Sequence, residues 1–388
     1  MPAWELKDKV AIVGIGETEY TRWGKAKKSE LSLALEAIVK AVNDAGLDMS
    51  EVDGFCSYAS ERQEPITLAN ALGIRQLRWN TLHWGGGGGG APGGVMDAMV
   101  AVATGVANYV VAYRSLAQGQ FGRFGMAKGP NVTSGGSAFS NCFGLLTPAM
   151  TFALQARRHM HEYGTTSEQM GAVAVASYTH AQNNPRAVMK GRPITLADHQ
   201  ASRMIADPYH LYDCCQENDG ACAVVLTTAE RAKHLKQKPV YVMSASQGSG
   251  YREGAGGHNK LQYTSANFGA VAKDLYARAG ITPKDVDVAQ MYENFTGMVI
   301  MSIEDHGFCK RGEGGPFVEN GRIEIGGELP INTSGGNLAE AYIHGFELVI
   351  EGVRQMRGTS VNQVKDAEIC LVAGGPGVAP CSDLLIRR

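Results

Sequence analysis

A chain of 388 residues exceeds one ordinary domain of about 100–200 residues, so two units of similar size are expected. Lys and Arg total 36 against 38 Asp and Glu, a net charge of −2 without a block of like charge, which argues against nucleic acid or an anionic membrane surface as partner. Charged residues make up only 19%, and the 49 glycines lie well above the usual ~7%, a balance that indicates extensive buried surface and many tight backbone turns.

No charged-apolar-small leader is visible and no apolar run approaches the ~20 residues of a membrane span, so a cytoplasmic protein is expected. The eight cysteines form no C-x-x-C pair and are expected as reduced, mostly packed thiols.

In chain order, "VAIVGIG" (10–16) predicts a strand, followed by a helix with Leu31, Leu35, Ile38 and Val42 on one face and Gly46 at its left-handed C-cap. "VDGFCSY" (52–58) predicts the next strand. Residues 85–90 are six consecutive glycines, preceded by His83 and Trp84 and followed by the apolar helix "VMDAMVAVATG". Such flanks favour a close-approach loop at a helix N-terminus over a flexible linker. After the strand near 107–113 the character changes: helices are expected around 150–163 and 167–183, and the tail of "DCCQENDGACAVVLTT" reads as a strand returning to the first half.

From 238 the pattern begins again. "DAGLDMSEVDGFCSY" (44–58) and "RAGITPKDVDVAQMY" (278–292) align without a gap at an offset of 234. A strand (238–246), a helix with Phe268, Val271 and Leu275, and a cap at Gly280 precede the second copy as their counterparts precede the first. "SGGNLAEAYIHGFELVIEGVRQMRG" then repeats the glycine-loop-to-helix unit, and "AEICLVAGG" the strand after it. The chain therefore reads as α/β, with two duplicated βαβ-type halves: 1–115 together with 221–237, and 238–388. Residues 116–220 are an inserted loop domain.

Several candidate sites dissolve on inspection. "GIGETE" has Glu19 where a dinucleotide fingerprint needs its third glycine, and the six-glycine run lacks the Lys-Ser/Thr of a phosphate loop. His159 and His161 sit two apart on a helix, which suits a surface or interface better than a metal. Cys214, Cys215 and Cys222 are expected to pack beside the strand 221–226. More promising are the loop at 85–90, "MYENF" (291–295) past a strand's carboxyl end, Tyr342 and His344 at the start of a helix, and "AGGPGV" (373–378). Together they place Gly-rich loops and two tyrosines around one pocket.

These features resemble the thiolase superfamily over essentially the whole chain: the duplicated halves, "AIVGIGETEY", "DCCQENDGA", the "SGG" loop and "AGGPGV". More narrowly the chain is similar to the sterol-carrier, lipid-transfer-protein-type branch. The resemblance implies a five-layer α-β-α-β-α fold and an acyl-CoA ligand. It also implies where a thiolase would carry its chemistry. Counting back from Gly105, the nucleophilic cysteine's position falls on Gly88, and there is no cysteine between Cys56 and Cys142. The catalytic histidine's position falls on Tyr342, the motif Asn or His on Tyr292, and the second cysteine's on Leu371, beside Cys370.

Acyl transfer needs an activated thiol, which neither glycine nor tyrosine supplies. The pattern instead resembles the branch's steroid side-chain aldolases and implies retro-aldol cleavage of a β-hydroxyacyl-CoA, giving a ketone or aldehyde. In that reading Tyr342 is the base and Tyr292 its partner, with a depressed tyrosine pKa or a proton relay required. Gly88, Gly89, Ala373 and Gly374 would offer an oxyanion site, with His344, Glu293 and Asn294 as further binding residues. No metal or cofactor is implied beyond CoA in the substrate, and any zinc would belong to a partner.

The resemblance further implies a homodimer core and a small zinc-ribbon/OB-fold partner in a heterotetramer. Residues 113–125 are expected to line the interface or a lid. A steroid CoA ester is the expected substrate class, with aryl or alkyl esters as the alternative. Two other functions remain open on the sequence: a thiolase using a displaced Cys56, Cys142 or Cys370, and a non-catalytic acyl-CoA or lipid-binding protein.

Overall fold

The computed structural model describes residues 4–84, 87–126, 133–135, 138–253 and 260–388. The first two glycines of the 85–90 run and residues 127–132, 136–137 and 254–259 lie outside the described residues.

The first half runs through β1 (Val10–Glu17), α1 (Glu30–Ala45), β2 (Gly54–Tyr58), β3 (Trp79–His83), α2 (Ala91–Ala103) and β4 (Val110–Ala117). Two long helices follow, α3 (Pro148–Tyr163) and α4 (Ser167–Asn183), and β5 (Asn218–Thr228) returns to pair with both β4 and β1. The second half contains β6 (Val240–Gly248), α5 (Gly269–Ala279), β7 (Val288–Met291), α6 (Thr296–Asp305), α7 (Phe346–Arg357), β8 (Ile369–Gly374) and β9 (Cys381–Arg387).

The strands lie in the order β7-β8-β9-β6-β1-β5-β4-β2-β3. Each half contributes its own block, and the blocks join where β1 and β6 pair through Ala11–Tyr241 and Ile12–Val240. Helices α2 and α7 are buried on almost every side and pack between the two blocks, while α1 covers the outer face of the first and α5 that of the second. The result is the expected α-β-α-β-α stack, with the strands inside the edge strand β3 buried on both faces, as continuous apolar runs require.

The duplicated caps hold: Gly46 and Gly280 end α1 and α5 in the left-handed region, at φ 76° and 69°. The face of α1 differs from expectation. Leu33, Ala34, Ala37, Ile38, Ala41 and Val42 are buried, and Leu31 and Leu35 lie half-buried on its flank. The alanines explain "GIG": a Cβ at Gly14 would stand 2.1 Å from the Ala41 carbonyl oxygen, and one at Gly16 2.2 Å from that of Ala37. The two glycines let a helix lie on a strand rather than a dinucleotide on a loop.

Helices α3 and α4 pack on the second half, where Phe152, Ala156, Val173 and Ala174 share a core with Met298, Val299 and Ile300. His159 is buried there, at the interface of the insert with the second half rather than on the surface. Its Nδ1 lies 2.7 Å from Thr165 Oγ1 and its Nε2 3.1 Å from the Glu304 carboxylate, a partner 145 residues away. No helix of the described residues is long and apolar enough to cross a membrane.

Candidate active site

A cavity of about 490 Å³ opens where the strand ends of the two halves meet. Its floor carries Gly87, Gly88, Tyr292, Tyr342 and His344. Asn294, Gly375 and Val378 form one wall, and Leu82, Trp84, Phe124, Pro148 and Phe152 make the rest largely apolar. The loops expected to converge on one pocket do so.

Backbone geometry explains why each piece sits there. β7 ends at Met291, and Tyr292 N–H donates to the Ala373 carbonyl at the end of β8, 3.0 Å away. The Tyr292 ring then lies between two glycines. A Cβ at Gly88 would stand 1.9 Å from the ring, and one at Gly345, whose φ is +83°, 2.5 Å from it. No side chain fits at residue 88 while Tyr292 stays in place. The ring fills the space a cysteine at that position would use.

The Tyr292 hydroxyl donates to the Tyr342 hydroxyl over 2.8 Å. Burial pushes both phenols well above their ordinary value; for Tyr292 the neighbouring Tyr342 adds to the rise, and for Tyr342 the nearby Cys215 does. Neither is a standing tyrosinate, so the depressed pKa the sequence allowed for is absent and the hydrogen-bonded pair remains. Tyr342 and His344 lie on the loop before α7, which begins at Phe346, rather than inside the helix.

His344 lies beside Tyr342, with ring centroids 5.3 Å apart, and stacks on Phe124 at 4.9 Å. Its Nδ1 is 3.0 Å from Nη2 of Arg114, a residue of β4 with no exposed surface. Burial, then the charges of Arg114 and Arg62, hold its pKa well below the ordinary histidine value. Of the stretch 113–125, residues 113–117 are buried strand, Phe124 lines the cavity, and residues 119–123 and 125 are exposed.

Of the remaining residues singled out by the sequence, Asn294 lines the cavity, its Oδ1 accepting from Phe295 N–H and its Nδ2 donating to the Pro376 carbonyl. Gly89, Ala373, Gly374 and Glu293 lie behind the lining. A Cβ at Gly89 would meet the Pro380 carbonyl at 2.7 Å and one at Gly374 the Gly88 carbonyl at 2.8 Å, so both serve close passage of backbone. Gly375, rather than Ala373 or Gly374, reaches the cavity. Glu293 accepts from Ser177 Oγ at 2.8 Å and from Asn337 N–H at 2.6 Å, tying the strand end to α4 and to the loop before Tyr342. Burial raises its carboxyl to about 7 against these hydrogen bonds.

The displaced-cysteine alternative finds no support in this geometry. Cys56 and Cys370 have no exposed surface, burial pushes both thiols up, and neither they nor exposed Cys142 line the cavity. Sequence reasoning gave no site role to Arg114, Phe124 or Gly345 individually. Gly345 was readable as a glycine next to a candidate histidine; Arg114, 230 residues from its partner, left no local signal.

Comparison with known proteins agrees with the geometry. Residues 256–386 match the thiolase C-terminal domain-like family. The chain is 45% identical to a 17-hydroxy-3-oxo-4-pregnene-20-carboxyl-CoA lyase from Mycobacterium tuberculosis, over 98% of this chain and 100% of that one. It is 44% identical to a steroid side-chain-cleaving aldolase from Thermomonospora curvata, over 98% of each. Among solved structures, the Ltp2-ChsH2(DUF35) aldolase superposes with a TM-score of 0.92 at 44% identity, covering 98% of both chains.

Proposed function

The chain belongs to the thiolase superfamily and, within it, to the steroid side-chain-cleaving aldolases, and from that membership we propose that it cleaves a β-hydroxyacyl-CoA by a retro-aldol reaction. The observation that carries this reading is the hydroxyl pair of Tyr292 and Tyr342, 2.8 Å apart, filling the space opposite Gly88 where an acyl-transferring thiol would stand.

In the reaction the β-hydroxyl O–H bond breaks as its oxygen forms a carbonyl. The bond between the α- and β-carbons breaks, and its electron pair enters the thioester as an enolate. A proton then adds to the α-carbon. One proton leaves oxygen and one arrives at carbon, so a relay balances the step. In the relay we propose, the Tyr292 oxygen accepts the substrate proton, its own proton passes to Tyr342, and the Tyr342 proton goes to the α-carbon, an order that the hydrogen bond from Tyr292 to Tyr342 supports. This order reverses the one the sequence suggested. Each phenol begins and ends neutral, which suits their raised pKa values. The main chain at Gly88 and Gly375 lines the cavity beside the tyrosines, which supports a role for it in holding the enolate oxygen. The acyl group never leaves CoA, so the balance calls for no cofactor.

The substrate class we propose is a steroid CoA ester with a tertiary 17-hydroxyl, as named for the Mycobacterium tuberculosis relative. Cleavage of such an ester between C17 and C20 gives a 17-ketone and propionyl-CoA. The aromatic and aliphatic walls suit a rigid apolar ring system, and glycine at 88 lets the Tyr292 ring reach the cavity floor. The test is incubation with a panel of steroid, aryl and alkyl β-hydroxyacyl-CoA esters and identification of the carbonyl product. A 17-ketosteroid with propionyl-CoA is expected; an acyl-enzyme, or no turnover on any ester with the partner present, overturns the reading.

We further propose a cytoplasmic heterotetramer: a homodimer core with a DUF35-type, zinc-ribbon/OB-fold partner. The DUF35 component of the aldolase structure supports the partner, and the unpaired outer edge of β3, where Leu82 is exposed, supports pairing with a second copy. Co-expression with that partner is expected to yield a 2:2 species by light scattering, with the single chain less active; a fully active monomer contradicts it.

A further inference from the structure

Among the described residues Arg114 is the largest side chain with no exposed surface, and the proton relay does not use it. It lies on β4, with Nη1 3.2 Å from Glu61 Oε2 and Nη2 3.0 Å from His344 Nδ1, and its guanidinium stands 5.5 Å over the Tyr58 ring. The Glu61 side chain is buried too, and also accepts from Ser115 N–H and Ser115 Oγ, both at 2.8 Å. The ion pair is thus built into the sheet, and Nη2 remains to face both the histidine and Ser60 Oγ, 3.4 Å away.

A guanidinium has donors and no acceptor. Nδ1 of His344 must therefore accept, and a neutral imidazole that accepts at Nδ1 carries its one proton on Nε2. The rest of the residue is held as well: Tyr58 OH donates to the His344 carbonyl over 2.9 Å, the ring stacks on Phe124, and the backbone sits at φ 57°. Nε2 faces the cavity beside Gly87, where an added Cβ would be 3.6 Å away, and it has no hydrogen-bond partner among the described residues.

We infer that Arg114 is a positioning residue: by occupying Nδ1 it holds His344 as a neutral imidazole whose Nε2–H is presented to the cavity, beside the tyrosine pair, as a fixed donor to the thioester oxygen that becomes the enolate. The inference rests on the retro-aldol reading. Its chemical content is separate, because it states a tautomer and a pH dependence. The charged and titratable groups around the ring are Arg114, Glu61, Arg62, Tyr58 and Tyr342. The two cations oppose a second ring proton, and Glu61 is engaged by Arg114 and Ser115. Such a donor stabilises a developing oxyanion without competing as a base.

The experiment combines ¹⁵N-histidine NMR with pH-dependent kinetics on the complex of full chain and partner. In the wild type, one histidine resonance pair, lost in His344→Gln, is expected to show the Nε2–H neutral tautomer and to stay unchanged between about pH 5.5 and 8.5. Arg114→Met frees Nδ1, so that resonance should titrate near the ordinary ~6.5 and an acid limb should appear in kcat. Arg114→Lys, again a donor without an acceptor, should restore the flat profile. His344→Leu should lower kcat about 100-fold or more with KM little changed, and His344→Gln, which keeps an N–H donor, about tenfold or less. Should Arg114→Met fail to fold with Glu61 unpaired, Arg114→Met/Glu61→Gln makes the same comparison.

A wild-type His344 that titrates in this range or carries its proton on Nδ1 overturns the proposal, as does His344→Leu with normal kcat. Wild-type protein inactive on every β-hydroxyacyl-CoA would instead remove the retro-aldol reading, while the tautomer measurement still decides what Arg114 does.

Discussion

Tyr58 and Tyr292 are the same residue of the two copies, related by the 234-residue offset, and each stands at the end of its repeat strand. Their hydroxyls lead opposite lives. Tyr58 donates to the main-chain carbonyl of His344 and its ring stacks on Phe346 with centroids 6.1 Å apart, so its polar end is consumed by the scaffold. Tyr292 donates to another hydroxyl at the cavity floor. The glycine loop passes between them with one glycine for each: a Cβ at Gly90 would stand 2.3 Å from Tyr58, and one at Gly88 1.9 Å from Tyr292. Duplication supplied two equivalent phenols, and what each touches decided that one holds the fold and the other faces the chemistry.

The sharpest way to break this comparison is to remove one hydroxyl at a time. Tyr292→Phe and Tyr342→Phe should each lower kcat by about 10²–10⁴-fold, the usual worth of a positioned proton donor or acceptor, with CoA-ester affinity retained by calorimetry. Tyr58→Phe should cost stability of about 1 kcal/mol in denaturant titration and change kcat only a few-fold. Equal losses of activity at all three positions would mean that the tyrosines act only through packing.

The glycines come next. Gly88→Ala forces the Tyr292 ring to move and should abolish cleavage while the protein still folds, at a cost of about 1–3 kcal/mol for an overfilled site. Gly88→Cys alone should give no acyl-enzyme on mass spectrometry with an acyl-CoA, because the ring occupies the thiol's place. Gly90→Ala should strike stability first, measured as a lower Tm, since Tyr58 belongs to the core. An active Gly88→Ala enzyme would show that the two positions are not interlocked.

The contrast also shows what could be read from the chain alone. The duplicated helices, their glycine caps and the convergence of 87–90, 291–295 and 373–378 were legible, because periodicity, capping and strand ends are local signals and the repeat doubled each of them. The places of Tyr292 and Tyr342 were legible through the resemblance. The pairing of Arg114 with His344 was not, since it joins the middle of β4 to the loop before α7, from different halves, and neither stretch carries a charge pattern that points to the other. Nor was the burial of His159 or the withdrawal of Glu293 behind the cavity wall, because a polar side chain's depth depends on partners such as Glu304 and Ser177 brought in from the other half or the insert. For Ala373 and Gly374 the error was one of reach: a sheet that continues through Gly374 brings the next residue, Gly375, to the surface of the pocket.

Glu293 and its pseudo-equivalent Ala59 give the smallest and most specific prediction. Where the first copy has a small residue after its tyrosine, the second buries a carboxyl, and burial raises it from 4.5 to about 7. Between about pH 4.5 and 7 the unfolded chain has released this proton and the folded chain keeps it, so raising the pH through that window favours unfolding. Above about 7 both states are ionised and the contribution levels off. Urea midpoints should therefore fall from pH 5 to pH 7.5 by more in the wild type than in Glu293→Gln, which carries no titrating group but keeps an acceptor for Ser177 or Asn337. A variant whose midpoint falls as steeply as that of the wild type would place the carboxyl's proton elsewhere, and would leave the two strand ends differing in their tyrosines alone.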